Sequence, residues 1–376
     1  MKINNRRKFV LFISLVLLIV FSGFILLNKS SMKNKQIHKK IKINDLNLPS
    51  NKIPSDFKLE YIIDRDKVVL TKDNYVWIYN SNTGEAETLT TSLYKNNYIY
   101  TIKYFDKWIV WAEQSDDEMG SNWCLVAKNI ESNEEIIVDK SRKRGNISYL
   151  YSPGNIEIFD KKIAYRYTDY ENNKNIGLIK LFDLETRKAT IVEKIIDIED
   201  KFIGKVAIYN DKIVWTNPHT LSSDGNRKYS FSDLYMYDIN SKEKKKLIDK
   251  KYLLNSILYK DEVYAINYMN DIETEIVRIN INNGEMDSII NKSSSIYSYM
   301  DDSDYFQIYE PIINNNILTW IMIGVPNKYY YDLNDNTFKT IDGIDYITGL
   351  SKEYIYGVNM TDNHYNFVNL NDYSKK

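Results

Sequence analysis

Apolar and polar residues alternate in short bursts along most of the chain. Asn, Asp, Lys and Gly break each burst before a helix could complete three turns. In Leu234-Tyr235-Met236-Tyr237-Asp238-Ile239 every other residue can face a neighbouring sheet, the pattern of a half-buried strand. One segment departs from this rule. Phe9 to Leu27 is a 19-residue stretch in which only Ser14, Ser22 and Gly23 interrupt the apolar side chains. As a helix it would reach roughly 28 Å, close to the hydrocarbon thickness of a bilayer, and a helix is the form that satisfies its backbone there.

The bursts recur as one unit. Its clearest copy runs Tyr209-Asn210-Asp211-Lys212-Ile213-Val214-Trp215, a polar loop, Asp233 to Asn240, a charged turn, then Lys246-Leu247-Ile248. The same turn-and-strand anchor begins at Asp66, Asp106, Asp160, Asp211, Asp261, Asn315 and Glu353. The mean spacing of about 48 residues suits three or four strands with their loops, the size of one propeller blade. One blade cannot bury both its faces, but stacking against two neighbours does so. The sequence therefore predicts an all-β, seven-bladed β-propeller, rather than one of six or eight blades, preceded by one N-terminal transmembrane helix.

In these residues the chain resembles the TolB-like repeats of bacterial propellers, in which Asp-Lys-Ile-Val-Trp and Leu-Tyr-Met-Tyr-Asp-Ile runs are typical. The resemblance covers about 57–373 and implies the propeller fold without a function. The Ser-Pro-Asp-Gly turn common in those repeats is missing; Ser152-Pro153-Gly154 is a partial echo. No α/β domain like that of TolB is read ahead of the repeats, so a TolB-type partner role does not carry over.

Charge changes the picture more than composition does. Residues 1–42 hold ten Lys or Arg and no acid, which leaves 40 basic against 51 acidic residues in the remainder. A folded part with that excess of acid repels nucleic-acid phosphates, so no nucleic-acid partner is expected. The basic residues flank the apolar stretch on both sides: Lys2, Arg6, Arg7 and Lys8 before it, Lys29, Lys33, Lys35, Lys39, Lys40 and Lys42 after it. The short basic head followed by a long apolar run reads as an export signal. The run is too long for an ordinary cleaved signal, and Leu27-Asn28-Lys29-Ser30-Ser31 offers no small-x-small cleavage site. The expected organisation is a cytoplasmic head (1–8), a signal-anchor helix in the lipid bilayer (9–27), a basic stalk (28–40) and an extracytoplasmic propeller (41–376).

Chemistry-bearing motifs are sparse. There are three histidines (His38, His219 and His364), one cysteine (Cys124), and neither Gly-x-Ser-x-Gly nor Gly-x-Gly. Cys124 sits in an apolar strand pattern and reads as a small buried hydrophobe. Asp332-Leu333-Asn334-Asp335-Asn336 has the oxygen side chains of a calcium loop, but Thr337 and Gly343 stand where an EF-hand needs glycine and glutamate, so it reads as a hairpin turn. The acid clusters Asp116-Asp117-Glu118 and Asp301-Asp302-Asp304 read as solvated loops. No catalytic residue, metal site or cofactor is assigned. The expected function is a non-enzymatic binding or scaffold module with a protein or glycan partner. The alternatives are a tethered glycan- or peptide-processing enzyme with carboxylates in the axial funnel, or an accessory subunit of a membrane complex. One structural expectation is sharper: 41–48, which alternates apolar with polar residues, is expected to pair with 365–371 and complete the seventh blade.

Overall fold

The computed structural model describes residues 41–42 and most of 57–369. Residues 1–40, 43–56 and 370–376 lie outside the described residues, as do 91–96, 116–122, 142–152, 197–202, 224–226, 270–272, 298–305, 323–327, 352–353, 360–363 and positions 65, 74, 81, 173 and 342. The apolar stretch 9–27, the stalk, His38 and both acid clusters therefore fall outside them. No described helix is long and apolar enough to cross a membrane.

The described strands form seven antiparallel sheets. The first blade holds β1 (Ile41–Lys42), β2 (Lys58–Ile62), β3 (Lys67–Lys72), β4 (Tyr75–Asn80) and β5 (Glu85–Thr90), in the order β1-β5-β4-β3-β2. The second is β6 (Asn97–Phe105), β7 (Trp108–Ser115), β8 (Trp123–Asn129) and β9 (Glu135–Lys140). The third is β10 (Asn155–Phe159), β11 (Lys162–Glu171), β12 (Lys174–Asp183) and β13 (Lys188–Ile196). The fourth is β14 (Val206–Tyr209), β15 (Lys212–Ser223), β16 (Arg227–Asp238) and β17 (Lys244–Lys251). The fifth is β18 (Leu253–Tyr259), β19 (Glu262–Tyr268), β20 (Thr274–Asn280) and β21 (Met286–Ile290). The sixth is β22 (Ile308–Asn314), β23 (Ile317–Met322), β24 (Tyr329–Asp332) and β25 (Thr337–Thr340), and the seventh is β26 (Tyr346–Leu350), β27 (Tyr354–Asn359) and β28 (His364–Asn369). This is a seven-bladed β-propeller.

Each repeat anchor falls at the turn before the second strand of a blade. In blades 2 to 6 this turn is a two-residue hairpin whose first residue has positive φ: Asp106, Asp160, Asn210, Lys260 and Asn315. Asp and Asn tolerate that conformation best. The third-to-fourth connection repeats as closely. The carboxylate or amide oxygen of Asn80, Asn129, Asp183, Asp238, Asn280 or Asp332 accepts from the backbone N–H two residues on. The fourth residue after it takes positive φ in every case, as Gly84, Asn133, Arg187, Lys242, Gly284 and Asn336. The run at 332–336 is thus one of six equivalent Asx turns, further held by Lys339, whose ammonium lies 2.6 Å from Asp332.

The first strands touch in sequence, β2 to β6, β10, β14, β18, β22 and β26, and β26 returns to β2. They form the innermost ring. Between blades lie seven apolar clusters, one per junction. Trp111 and Cys124 pack between blades 1 and 2, Trp215 between 3 and 4, and Trp320 between 5 and 6; all four are fully buried. The Trp and Tyr stripes are therefore blade packing.

The closure differs from the expectation. Ile41 and Lys42 pair with Ala86 and Glu85 on β5, making a fifth, outermost strand of the first blade rather than a strand of the seventh. Residues 43–48 and 370–371 lie outside the described residues, and the described part of the seventh blade has three strands. The physical reason is that any exposed sheet edge offers unpaired N–H and C=O groups, so an alternating segment does not specify which edge it joins. Among the described residues, side chains join the seventh blade to the first. Tyr354 and Tyr356 pack into the cluster of Phe57, Leu59, Ile62 and Leu70, and the Tyr356 hydroxyl donates to the Glu60 carbonyl at 3.1 Å.

Candidate functional site

The antiparallel order of a blade places its first-to-second and third-to-fourth connections at one end of the propeller, and the remaining connections at the other. The first set consists of the tight turns described above. The second varies from the single residue Tyr252 to the spans 141–154 and 291–307. Scaffolds carry function on variable connections supported by rigid elements, so the variable end is the candidate functional face.

Three groups stand out there. The first is a cleft, open to solvent, between blades 2 and 3 and lined by Trp123, Asp139, Ser141, Tyr167 and Asp169. Most of its polar groups hold one another, although the Trp123 indole Nε1 is buried with no partner among the described residues. Asp139 accepts from the Tyr165 hydroxyl at 2.8 Å and from Lys180 at 2.8 Å, and the Lys180 ammonium also lies 4.9 Å over the Tyr167 ring. Burial alone would lower the Lys180 pKa, but its bonds to Asp139 and Tyr167 hold it above the usual lysine range. This cluster is a structural brace.

The second group lies on the long β15–β16 hairpin. His219 stacks on Phe231 and its Nε2 is 3.2 Å from Asp233. The same carboxylate accepts from Lys246 at 3.0 Å and from the Lys250 amide at 3.3 Å. Burial pushes the Asp233 pKa up, but Lys246 and the Lys250 amide outweigh it and hold the carboxyl below its ordinary value. A carboxylate held by the Lys246 ammonium and the Lys250 backbone amide is an ion pair braced by the main chain rather than the orienting member of a catalytic triad. His364 lies on β28. His219 stands on β15, three blades away in the chain.

The third group sits on the innermost ring. Lys103 on β6 pairs with Glu157 on β10 at 3.0 Å, bridging blades 2 and 3. Asn155, at the start of β10, reaches Glu157 with its amide N–H at 3.4 Å and accepts from the Val206 N–H at 2.6 Å, bridging blades 3 and 4. Arg166, opposite Asn155 in the β10–β11 ladder, donates from Nη1 to the Ile203 carbonyl, while its Nε is buried with no hydrogen-bond partner among the described residues. Two residues past Ile203 comes Lys205, half-buried, whose carbonyl accepts from Ser256 of blade 5 at 3.4 Å. Desolvation lowers the Lys205 pKa; Glu157 and Glu310 oppose that shift, and Lys103 and Arg166 reinforce it. Burial likewise lowers that of Arg166. Among the described residues neither Arg166 nor Lys205 has a carboxylate partner within ion-pair distance.

The inner strands are irregular where polar residues stand on them. Bulges interrupt the pairing of β2 between Leu59 and Tyr61, of β18 between Leu254 and Ile257, and of β22 between Tyr309 and Ile312. They admit Glu60, Asn255 and Glu310, the last two at positive φ. Bulges re-aim side chains and positive φ stores strain, and both are over-represented at functional sites. Glu60 is held by Lys58 and Thr71, each at 2.8 Å.

None of the inner-ring residues was singled out in the sequence. The repeat pattern exposed the second, third and fourth strands of each unit; the first strand, ahead of the anchor turn, carries the charges. A Lys or Glu inside a short strand looks like a solvent-facing position, and only the ring turns that face inward.

No protein-family model matches the sequence, and no curated protein matches it. Solved structures do. An oligogalacturonate lyase in complex with manganese aligns over 87% of this chain and 92% of its own, at 10% identity and a TM-score of 0.54. The β-propeller domain of the Trilobed protease from Pyrococcus furiosus, described as having an open velcro topology, aligns over 81% and 90% at 17% identity and a TM-score of 0.51. TolB from Acinetobacter baumannii aligns over 75% and 61% at 12% identity, and its TM-score of 0.38 adds nothing to the assignment. At such identities the likeness is one of fold alone: this chain is built like β-propellers that serve unrelated chemistries.

Proposed function

We propose that the chain is a membrane-anchored, extracytoplasmic propeller that binds a protein or glycan partner at its variable end without transforming it. The observation that carries this reading is the division of the two ends. One end repeats the same Asx turn six times, whereas the other gathers the variable connections and the underpaired Arg166 and Lys205 around the channel. The inner-strand carboxylates Glu60 and Glu157 are each held by a lysine, which suits a structural or recognition role better than proton transfer. Anchoring rests on the 9–27 stretch and its basic flanks.

An enzyme is the second reading, favoured by one observation: Glu157 and Glu310, from blades 3 and 6, both act on Lys205. Carboxylates from different blades can serve glycan chemistry when they face one another across a substrate.

Photo-crosslinking of the full-length protein in its own membrane tests the binding reading. A crosslinker at Ser141 or Thr168, at the variable end, should capture a partner, whereas one at Asn82 or Ser241, in the tight turns, should not. Capture from the tight end alone would refute it. Release of product from oligosaccharides or peptides, lost in Glu157→Gln, would replace it with the enzyme. External protease should digest the propeller in intact cells; full protection would reverse the topology.

A further inference from the structure

We propose that Arg166 and Lys205 at the mouth of the axial channel hold the carboxylate of a small acidic ligand. The inference rests on the variable end being the binding face and names what that face recognises.

Charge and geometry lead there together. Lys103 and Glu157 neutralise each other at 3.0 Å. What remains among the described residues is Arg166 and Lys205 against the single carboxylate of Glu310, an excess of one positive charge. That excess matches a monoanion such as a carboxylate better than a phosphate dianion. The two cations belong to one frame: Arg166 Nη1 bonds the Ile203 carbonyl, and the amide after Lys205 bonds Asn155, which lies opposite Arg166 in the ladder. Among the described residues the guanidinium has used one donor on protein, its Nε has none, and Nη2 passes 3.8 Å from where a Cβ would stand on Gly154. Arg presents a planar fork of donors that fits a carboxylate, and Lys adds a point charge.

The energetics favour a ligand as well. A desolvated cation without a partner costs stability, and proteins retain such groups where function needs them. A carboxylate entering the channel restores what desolvation took away, in a place where water screens the attraction less than at an open surface.

The test is calorimetric titration of the full-length, detergent-purified protein with glucuronate, N-acetylglutamate, inorganic phosphate and glucose, beside Lys205→Gln and Arg166→Gln. Glucuronate or N-acetylglutamate should bind while glucose does not, and each variant should weaken that binding about tenfold or more. Preference for one acid identifies the source of the carboxylate as a sugar or an amino acid. The melting temperature of unliganded Lys205→Gln should be no lower than that of the parent, so that lost binding is not lost folding. Phosphate binding tighter than either acid, glucose binding as well as glucuronate, silence from both acids, or acid binding indifferent to both variants would each overturn the proposal. Crosslinking at Ser141 or Thr168 that persists in a protein binding neither acid would leave the binding module standing and this inference fallen.

Discussion

The junctions between blades and the ring at their centre are built on opposite rules. Each junction is an apolar cluster whose largest members are excluded from water, as with Trp111, Trp215 and Trp320. The ring is polar, bulged, and among the described residues carries cations with too few carboxylates around them. Burial stabilises the junctions in proportion to apolar area, whereas at the ring it penalises charge. A propeller thus separates the part that holds it together from the part free to recognise something, and mutations in the two should differ in sign as well as size.

The largest effect should come from emptying a junction. Trp215→Ala and Trp320→Ala should each cost about 3–5 kcal/mol in chemical denaturation. Milder truncation separates them. The Trp320 indole N–H donates to the Tyr297 hydroxyl at 2.7 Å, while that of Trp215 is buried with no partner among the described residues. Trp320→Phe should therefore destabilise more than Trp215→Phe, and the reverse order would mean that the two indoles are held otherwise.

Next comes the closing junction. Gly349 has no room for a side chain: a Cβ there would stand 2.3 Å from the Tyr356 hydroxyl oxygen and ring. Gly349→Ala should cost about 1–3 kcal/mol by overpacking, most of it recovered when Tyr356 is shortened to Leu in the same chain. An Ala variant as stable as the parent would show that blade 7 is looser than the other junctions.

Asp233 is a buried charge that is properly paired, and it tests the contrast from the other side. Asp233→Asn should cost about 1–3 kcal/mol, because Lys246 and the Lys250 amide lose a charged acceptor, although Lys246 is 39% exposed and can rehydrate. Its folded pKa lies below the unfolded value. Its contribution is thus present above the unfolded pKa, near 4, and is lost as pH falls through the folded one. Melting curves of parent and variant should converge in acid.

The smallest and oppositely signed effect belongs to Lys205. Its folded pKa is depressed, so the penalty for its charge is present below the folded pKa and fades as pH rises through it towards the unfolded value. Lys205→Met should raise the melting temperature by a few degrees at pH 7, about 1 kcal/mol, and the gain should shrink in alkali. A loss of stability at pH 7 would mean that the ring pairs its charges as carefully as the blades bury their tryptophans.

Much of this could be read before any coordinates. The alternation around Asp211–Trp215 and Leu234–Ile239 marked two strands of blade 4, and the same anchor found all seven blades because turn chemistry is local: Asp or Asn at positive φ, an Asx oxygen over the next amides. The burial of Trp215, Trp320 and Cys124 followed from the same alternation. The inner strands did not announce themselves. β14 spans only Val206–Tyr209, and its preceding residue, Lys205, is indistinguishable in sequence from the many lysines of the turns. The pairing of Ile41–Lys42 with β5 instead of the last blade was equally hidden, since both edges accept the same alternating segment.

The sequence by itself determined what is short-range: strand periods, the tight turns, the count of blades and which aromatic residues face a neighbour. Tertiary structure alone decided what requires the ring to close. It chose which edge receives the first strand, and it brought Lys103, Arg166, Lys205, Glu157 and Glu310, scattered over some two hundred residues and four blades, into one electrostatic neighbourhood. Hydrogen bonds and hydrophobic faces repeat along a chain and can be seen in it, but the field at a point sums over charges from everywhere and exists only once they are assembled.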